Sequence, residues 1–385
     1  MEVLNYEVVI IGGGPSGATV GKLVTKRGIS CCIIDKEVFP RPKLCAGVLT
    51  GKTIELLKSM GLFQDINTYY NNSTNKFSMY YLNELVLNIE TNTPFSYTNR
   101  IDFDNILIKD FLSNGGILYD GTKISDIDLE KNELLLSTNK KIRFKYIIGA
   151  DGANSSLHRF VDKNYKPNGF CVEIDVPRDK TLHNSTRLYF GEIKGNYGWV
   201  FPKEDRLTVG FGGLRNRSID YKEEFNKFIK IALPEYEDYT SSMVKGHYLP
   251  FGNYVKVPMY NDKLLLVGDA AGLVDPITGE GIYFALLSGK LAAETLIDRL
   301  EGRSGNLNSY IKELKVIQKI IDEGVFIQKI FYNKSIQRAL FKNAKGHDNI
   351  AGYVSDNLVS YYNYRYKAVP KLIMDYKSMK RNKMS

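Results

Sequence analysis

The sequence is poor in the features that usually betray a protein's chemistry. It has one tryptophan and four histidines, and its four cysteines, at 31, 32, 45 and 171, include no C-x-x-C pair. That excludes a disulfide framework and leaves nothing with the spacing of a structural zinc site, so no metal is expected. No apolar run reaches the roughly eighteen residues of a membrane span. There is no repeat, no low-complexity linker and no secretory signal ahead of the first strand, so a reducing cytoplasm is the expected setting. Acidic residues are in deficit: 43 Asp and Glu against 52 Lys and Arg leave a formal net charge of +9. Either this favours anionic partners, an acidic protein or the inner face of a membrane among them, or it is a solvated lysine-rich surface. Nucleic acid is not expected, because no reader motif is present.

What is present begins near the N-terminus. Val8 to Ile11 reads as a buried parallel strand, followed by Gly12, Gly14 and Gly17 at the spacing G-x-G-x-x-G, with Pro15 and Ser16 between them. Gly12 permits a tight turn, Gly14 lets the backbone approach a pyrophosphate, and Gly17 lets helix and strand pack closely. The pyrophosphate would meet unpaired N–H groups at the positive end of the helix. A second apolar run, Cys31 to Ile34, ends in Asp35 and Lys36. Asp35 lies near the spacing expected of a carboxylate that holds ribose hydroxyls. These residues indicate a dinucleotide and leave its kind, nicotinamide or flavin, open.

At 385 residues the chain has room for two domains. The first helix is expected over 19–29, and further helices over 53–60, 100–112 and 222–233. Residues 76–99 and 170–214 alternate as strands do, and residues 146–149 and 263–267 read as further buried strands. Strands gathered between nucleotide-binding segments predict an α/β fold: a Rossmann-like cofactor domain with an inserted antiparallel β-sheet domain and a C-terminal helical segment. The expected cofactor domain is discontinuous, at 1–75, 100–160 and 255–300. The substrate domain takes 76–99 and 161–254, and a helical region takes 301–385. The basic stretch 365–383 reads as a frayed tail or an anionic-surface contact.

Two later stretches decide the cofactor. Gly149-Ala150-Asp151-Gly152-Ala153-Asn154-Ser155, with Arg159 after it, resembles the second nucleotide motif of the glutathione-reductase-like, p-hydroxybenzoate hydroxylase-like flavoproteins. Val267-Gly268-Asp269-Ala270-Ala271-Gly272 resembles their third, whose Asp binds the ribityl chain. The resemblance implies FAD. Pro276 to Gly281, through Gly279, forms a turn into a helix that starts at Ile282, whose N-terminus would favour negative charge on a reduced flavin. Arg100 resembles the arginine that opens the corresponding helix of this class, near the FAD.

Lys43-Leu44-Cys45-Ala46-Gly47 and Tyr197-Gly198-Trp199-Val200-Phe201-Pro202 resemble the geranylgeranyl reductase family, whose pattern P-x-x-Y-x-W-x-F-P is matched except that Lys194 replaces the leading proline. Those enzymes use reduced FAD to saturate C=C bonds of isoprenoid chains, so the resemblance implies an isoprenoid lipid substrate. Read from the residues alone, Tyr197, Trp199 and Phe201 alternate along a strand and share one side. They form either the wall of a long apolar channel or an aromatic face packed on helices. Cys45 is either a proton donor that shapes the flavin environment, with Lys43 and Arg41 lowering its thiol pKa, or a small buried apolar residue.

The expected reaction is hydride addition from reduced flavin, coupled to protonation of the alkene by an ordered water, Cys45 or Tyr197, with Trp199 beside them. No second strand–glycine–helix unit is present for a nicotinamide. The external donor is therefore a transient NAD(P)H or a reduced protein such as ferredoxin, whose acidity the +9 charge suits. An aromatic hydroxylase and a flavin-dependent halogenase are the rival readings. Halogenases of this class carry a W-x-W pair where Tyr197 and Trp199 stand, and Gly-Glu-Ser where Cys45-Ala46-Gly47 stands. A non-catalytic flavin module fits poorly with Cys45, Asp269 and the aromatic stripe together.

Overall fold

The computed structural model describes residues 2–61, 70–179, 183–193, 195–236 and 243–344. Its first strand, β1 (Val3–Ile11), buries Val8 to Ile11. The helix after it, α1 (Pro15–Thr25), opens on Pro15, whose fixed φ suits a first turn and whose missing N–H leaves no bond unmade there. The helix expected at 19–29 therefore starts earlier and ends at Thr25. β2 (Cys31–Ile34), β3 (Val48–Leu49) and α2 (Gly51–Ser59) follow. A long hairpin, β4 (Asn72–Tyr81) and β5 (Glu84–Tyr97), leads into α3 (Arg100–Ser113). β6 (Ile117–Tyr119), β7 (Ile124–Asp128), β8 (Glu133–Leu136) and β9 (Lys141–Gly149) precede the short α4 (His158–Val161). Four strands come next: β10 (Gly169–Pro177), β11 (Thr186–Phe190), β12 (Asn196–Pro202) and β13 (Arg206–Leu214). Then comes α5 (Tyr221–Ala232), capped by the Asp220 carboxylate, which accepts from the N–H groups of Lys222 and Glu223. β14 (Lys245–Leu249), β15 (Met259–Tyr260) and β16 (Leu264–Leu266) follow. Three helices complete the described chain: α6 (Ile282–Leu300), α7 (Asn308–Phe331) and α8 (Lys334–Ala344).

The strands form two sheets. The first runs β15-β16-β9-β1-β2-β6. It is parallel from β16 to β6, with β15 antiparallel at one edge and the β7–β8 hairpin joined to the start of β9. Parallel strands bury both faces. Here α1 packs between the sheet and its neighbours α3 and α6, and Phe103 and Phe111 of α3 are fully buried. Each such phenylalanine contributes about 1.5–3 kcal/mol relative to exposure. The same core takes in Tyr310, Leu314 and Ile321 of α7, and the Tyr310 hydroxyl donates to the Leu266 carbonyl at 2.7 Å. The start of the 301–385 region is thus part of the first core.

The second sheet runs β14-β10-β13-β12-β11-β4-β5-β3 and is antiparallel except where β11 meets β4. It gathers residues from inside the expected 1–75 segment. β4 already begins at Asn72, and β3 pairs with β5, with Val48 opposite Tyr97. The period-2 alternation decides what each face does. Val172, Ile174, Val200, Leu207, Val209 and Phe211 pack with Phe225, Phe228 and Ile229 of α5. Cys171, Glu173, Tyr197, Trp199 and Phe201 point the other way and wall a cavity. Among the described residues no helix is long and apolar enough to cross a membrane.

A Cβ on Gly17 would lie 2.0 Å from the Gly12 carbonyl oxygen, whereas one on Gly305 meets nothing within 4 Å. Gly17→Ala is expected to destabilise the protein by about 1–3 kcal/mol or more, and Gly305→Ala by no more than about 0.5 kcal/mol. Thermal melts measure both, and equal midpoints would overturn this packing account.

Candidate active site

One cavity of about 2210 Å³ connects the Gly12 turn with α8, against roughly 300–1,000 Å³ for most small-molecule sites. Its first limb is lined by Gly12, Gly14, Pro15, Ser16, Asp35, Lys36, Asp151 and Gly152. Gly12 has φ +102°, a conformation that glycine adopts without strain. A Cβ on Gly14 would find only Arg41 Nη2, at 3.8 Å, so the space beside it belongs to the cavity. Gly17 and Gly268 lie behind this wall, and a Cβ on Gly268 would come 2.9 Å from Ser16 Oγ. Arg159, which stacks over the Phe160 ring at 4.8 Å, is not part of the lining.

Asp35 is held from several sides. Its Oδ2 accepts from the Gly13 N–H at 2.9 Å and from Arg41 Nε at 3.3 Å, and its Oδ1 accepts from the Glu37 N–H at 3.0 Å. Arg41 also pairs with Asp104 at 3.4 Å, so its charge, expected to act on Cys45, is matched by two carboxylates. Asp151 Oδ2 accepts from the Ser156 N–H and hydroxyl at 2.8 and 3.0 Å. Its Oδ1 is buried with no hydrogen-bond partner among the described residues. An open cradle at Gly14 beside an unpartnered buried acceptor at Asp151 fits a ligand that brings its own hydroxyls.

The middle of the cavity is charged. Arg100, at the start of α3, grips Asp104 in a bidentate pair at 2.7 and 2.8 Å and lies close to Cys45. Burial works against the Arg100 charge, but Asp104 outweighs it and raises the guanidinium pKa. Cys45 Sγ accepts from the Gly47 N–H at 3.4 Å, and Ala46 and Gly47 continue the lining. Burial raises the Asp269 carboxyl, while Lys43 and Arg100 oppose the shift. Burial also lowers Lys43, which Asp269 partly offsets. Lys43 Nζ reaches His247 Nε2 at 2.5 Å. Burial first, then Lys43 and Arg100, push the His247 imidazole down to about 4. It is therefore neutral at pH 7 and accepts from the Lys43 ammonium.

Beyond this lies an apolar limb. Tyr197, Trp199 and Phe201 form a continuous stripe, with ring centroids 5.7 and 6.2 Å apart. The Tyr197 hydroxyl donates to the Thr278 carbonyl in the turn that carries Gly279 and Gly281, and burial raises its pKa. Asp275 builds that turn by accepting from the N–H groups of Ile277 and Thr278 at 2.8 and 2.7 Å. The first turn of α6, at Ile282 and Ala285, lines the cavity as well. Pro276 does not: its carbonyl accepts from Gln328 of α7. Pro202 is likewise outside the lining, its carbonyl accepting from Asn72 Nδ2 at 2.7 Å. The far end is closed by Phe341 of α8, stacked on Tyr81 at 4.8 Å and on Phe190 at 5.3 Å. Lys194 and the 365–383 stretch lie outside the described residues.

Sequence reasoning missed three contributors: His247, the α7–α8 end of the cavity, and Glu173. Glu173 is 6% exposed and lies close to the backbone of Cys45. Burial pushes its carboxyl up to about 7, against the pull of Lys203. Its signal was there: a carboxylate out of phase with Val172, Ile174 and Val176, on the same side of β10 as Cys171.

Fold and site define an FAD-binding flavoprotein. The family model described as "FAD binding domain" matches residues 5–323, and the chain belongs to that family of FAD-dependent oxidoreductases. It is 33% identical to an uncharacterized protein of Methanosarcina barkeri, over 85% of this chain and 84% of the relative. It is 26% identical to the digeranylgeranylglycerophospholipid reductase of Methanococcus vannielii, over 78% and 79% of the two chains. Among solved structures, a geranylgeranyl bacteriochlorophyll reductase-like protein of Thermoplasma acidophilum superposes with a TM-score of 0.70 at 23% identity, covering 93% of this chain and 92% of that one. A probable FAD-dependent monooxygenase of Pseudomonas aeruginosa shares the fold at TM-score 0.69 and 18% identity, over 88% and 99%. So does a halogenase solved with FAD, at 0.68 and 17%, over 88% and 77%.

Because the His247 pKa is depressed on folding, the stability contributed by the neutral imidazole is complete above the ordinary imidazole value of 6.5 and is lost as pH falls toward about 4. Denaturant melts from pH 7 to 4 are expected to show a shallower loss of stability in His247→Gln than in the parent. Equal slopes would show that this group does not govern the acid limb.

Proposed function

We propose that this protein saturates carbon–carbon double bonds of a geranylgeranyl-type isoprenoid chain carried on a lipid or a diphosphate. The observation that carries the reading is the continuity of one cavity from the Gly12–Ser16 turn, past Cys45 and Asp269, to an apolar limb closed by Phe341. A nucleotide-sized polar limb joined to a long aromatic one suits a flavin at the junction and a prenyl chain beyond it. The reductase names of several relatives support the same choice.

The residues present fit FAD. Gly12, Gly14, Pro15 and Ser16 would take the pyrophosphate, Asp35 and Asp151 the nucleotide hydroxyls, and Asp269 the ribityl chain, with Lys36, Lys43, Arg100, Gly152, Gly279, Gly281 and Ile282 along the same wall. When bound and reduced, FAD supplies a hydride. Tyr197, Trp199 and Phe201 hold and orient the chain by apolar contact, and Phe190, Phe331 and Phe341 exclude water from its far end. Cys45 and Arg100 stand at the junction, where an alkene would have to lie. Electrons would come from a visiting NAD(P)H or a reduced acidic protein such as ferredoxin. The enzyme would work in the cytoplasm, or against the anionic inner face of a membrane, where its substrate is held.

The test is anaerobic. The flavin-loaded protein is reduced with dithionite and mixed with geranylgeranyl lipid or geranylgeranyl diphosphate, and products are read by mass spectrometry. Flavin reoxidation with gain of one H₂ per saturated bond is expected, and Trp199→Ala should slow it by at least tenfold. No reoxidation and no mass gain with either substrate would overturn the reading. Rapid NADPH oxidation in air on adding a phenol would favour a hydroxylase instead, and halide-dependent product would favour a halogenase.

A further inference from the structure

The cavity wall contains an ionisable group that the cofactor motifs leave unused. In the register of the second sheet, Glu173 of β10 lies opposite Gly210 of β13, and Gly210 lies opposite Trp199 of β12. A Cβ on Gly210 would meet Trp199 Cζ2 at 2.6 Å and Glu173 Cβ at 2.7 Å. The glycine therefore lets the indole lie across the strand against the glutamate. The next row holds Cys171, Gly212 and Tyr197 in the same arrangement. Glu173 thus lies in the aromatic wall, close to the backbone of Cys45 and lining the same cavity.

We propose that Glu173, held between Trp199 and the Cys45 loop, is the acid that protonates the substrate alkene. This assignment rests on the prenyl-reductase reading above. The O–H bond of the carboxylic acid breaks, and the π pair of the alkene forms a C–H bond at one carbon. The adjacent carbon takes the hydride of the reduced flavin, which is left oxidised. Glu173 becomes a carboxylate, stabilised by the charge of Lys203, and regains a proton from water. Around it stand Lys203, Asp175 and Arg100 as charged groups, and Cys171 as a neighbouring thiol raised by burial.

Two neighbouring donors are weaker. The Tyr197 phenol is raised by burial and its proton is engaged by the Thr278 carbonyl. Cys171 is raised by burial too. An acid serves best when its pKa lies near the working pH, and an apolar pocket walled by an aromatic ring is a known way to bring a carboxyl there. The apolar wall that binds a prenyl chain is thus also what keeps Glu173 protonated.

Trp199 is the sole tryptophan of the chain, so its fluorescence reports on this contact without turnover. Its emission is expected to titrate with a midpoint near 7, and Glu173→Gln should abolish the transition while leaving flavin content unchanged. In single turnovers of the pre-reduced, FAD-loaded protein with geranylgeranyl lipid, Glu173→Gln should be slower by about 10²–10⁴-fold. Glu173→Asp should recover part of the rate, and the parent rate should fall as pH rises through 7. A Glu173→Gln enzyme that reduces prenyl lipid at the parent rate, or parent emission with no transition that the variant removes, would overturn the assignment of Glu173 alone. A parent enzyme that reduces no prenyl substrate would overturn the functional reading together with the proton's destination.

Discussion

A buried chain of charges holds the site together. Asp104 is fully buried and shares its carboxylate between Arg100 and Arg41. Arg41 continues to Asp35, and Asp35 accepts the N–H of Gly13 in the nucleotide turn. Four side chains therefore join α3, the 36–47 loop and the β1–α1 turn. Charges taken out of water are costly, and only complete pairing offsets the cost; losing one member of such a network typically costs about 3–5 kcal/mol. Cys45 lies close to Arg100, at the edge of this network, while its own loop holds it through the Gly47 N–H.

The second constraint is the parity of the β10–β13 strands. One face is apolar and covered by α5, and the other is left to the cavity. A slip of one residue in β12 would turn Tyr197, Trp199 and Phe201 into α5 and send Val200 toward the cavity. The glycines of β13 serve the same geometry, because room for an indole on a sheet surface requires the strand beneath to carry no side chain at that point.

Much of this was legible in the sequence because its signals are local. The glycine spacing, the buried runs before it, Asp269 in its turn and the alternating aromatics each depend on neighbours a few residues apart. What was not legible depends on pairings between distant segments. β3 joins the second sheet only because Val48 meets Tyr97. Lys43 meets His247 across most of the chain, and nothing in either segment announces the other. Arg41, whose basic loop suggested an effect on a thiol, answers to a carboxylate on α3 that only folding brings near. Glu173 is out of phase with its apolar neighbours, but only the register of β10, β13 and β12 sets it beside the single tryptophan.

The closure of the cavity by Phe341 separates two kinds of change. Every residue that faces the nucleotide limb lies before Ala285, whereas α7 and α8 enter the lining only at the apolar end, beside Phe190 and the strand aromatics. Exchanging one aromatic ring of α8 for a smaller side chain alters the depth of the chamber and leaves the nucleotide limb as it is. The depth of the chamber and the shape of its nucleotide limb are therefore set by different parts of the chain, so either can be changed by substitution without touching the residues that build the other.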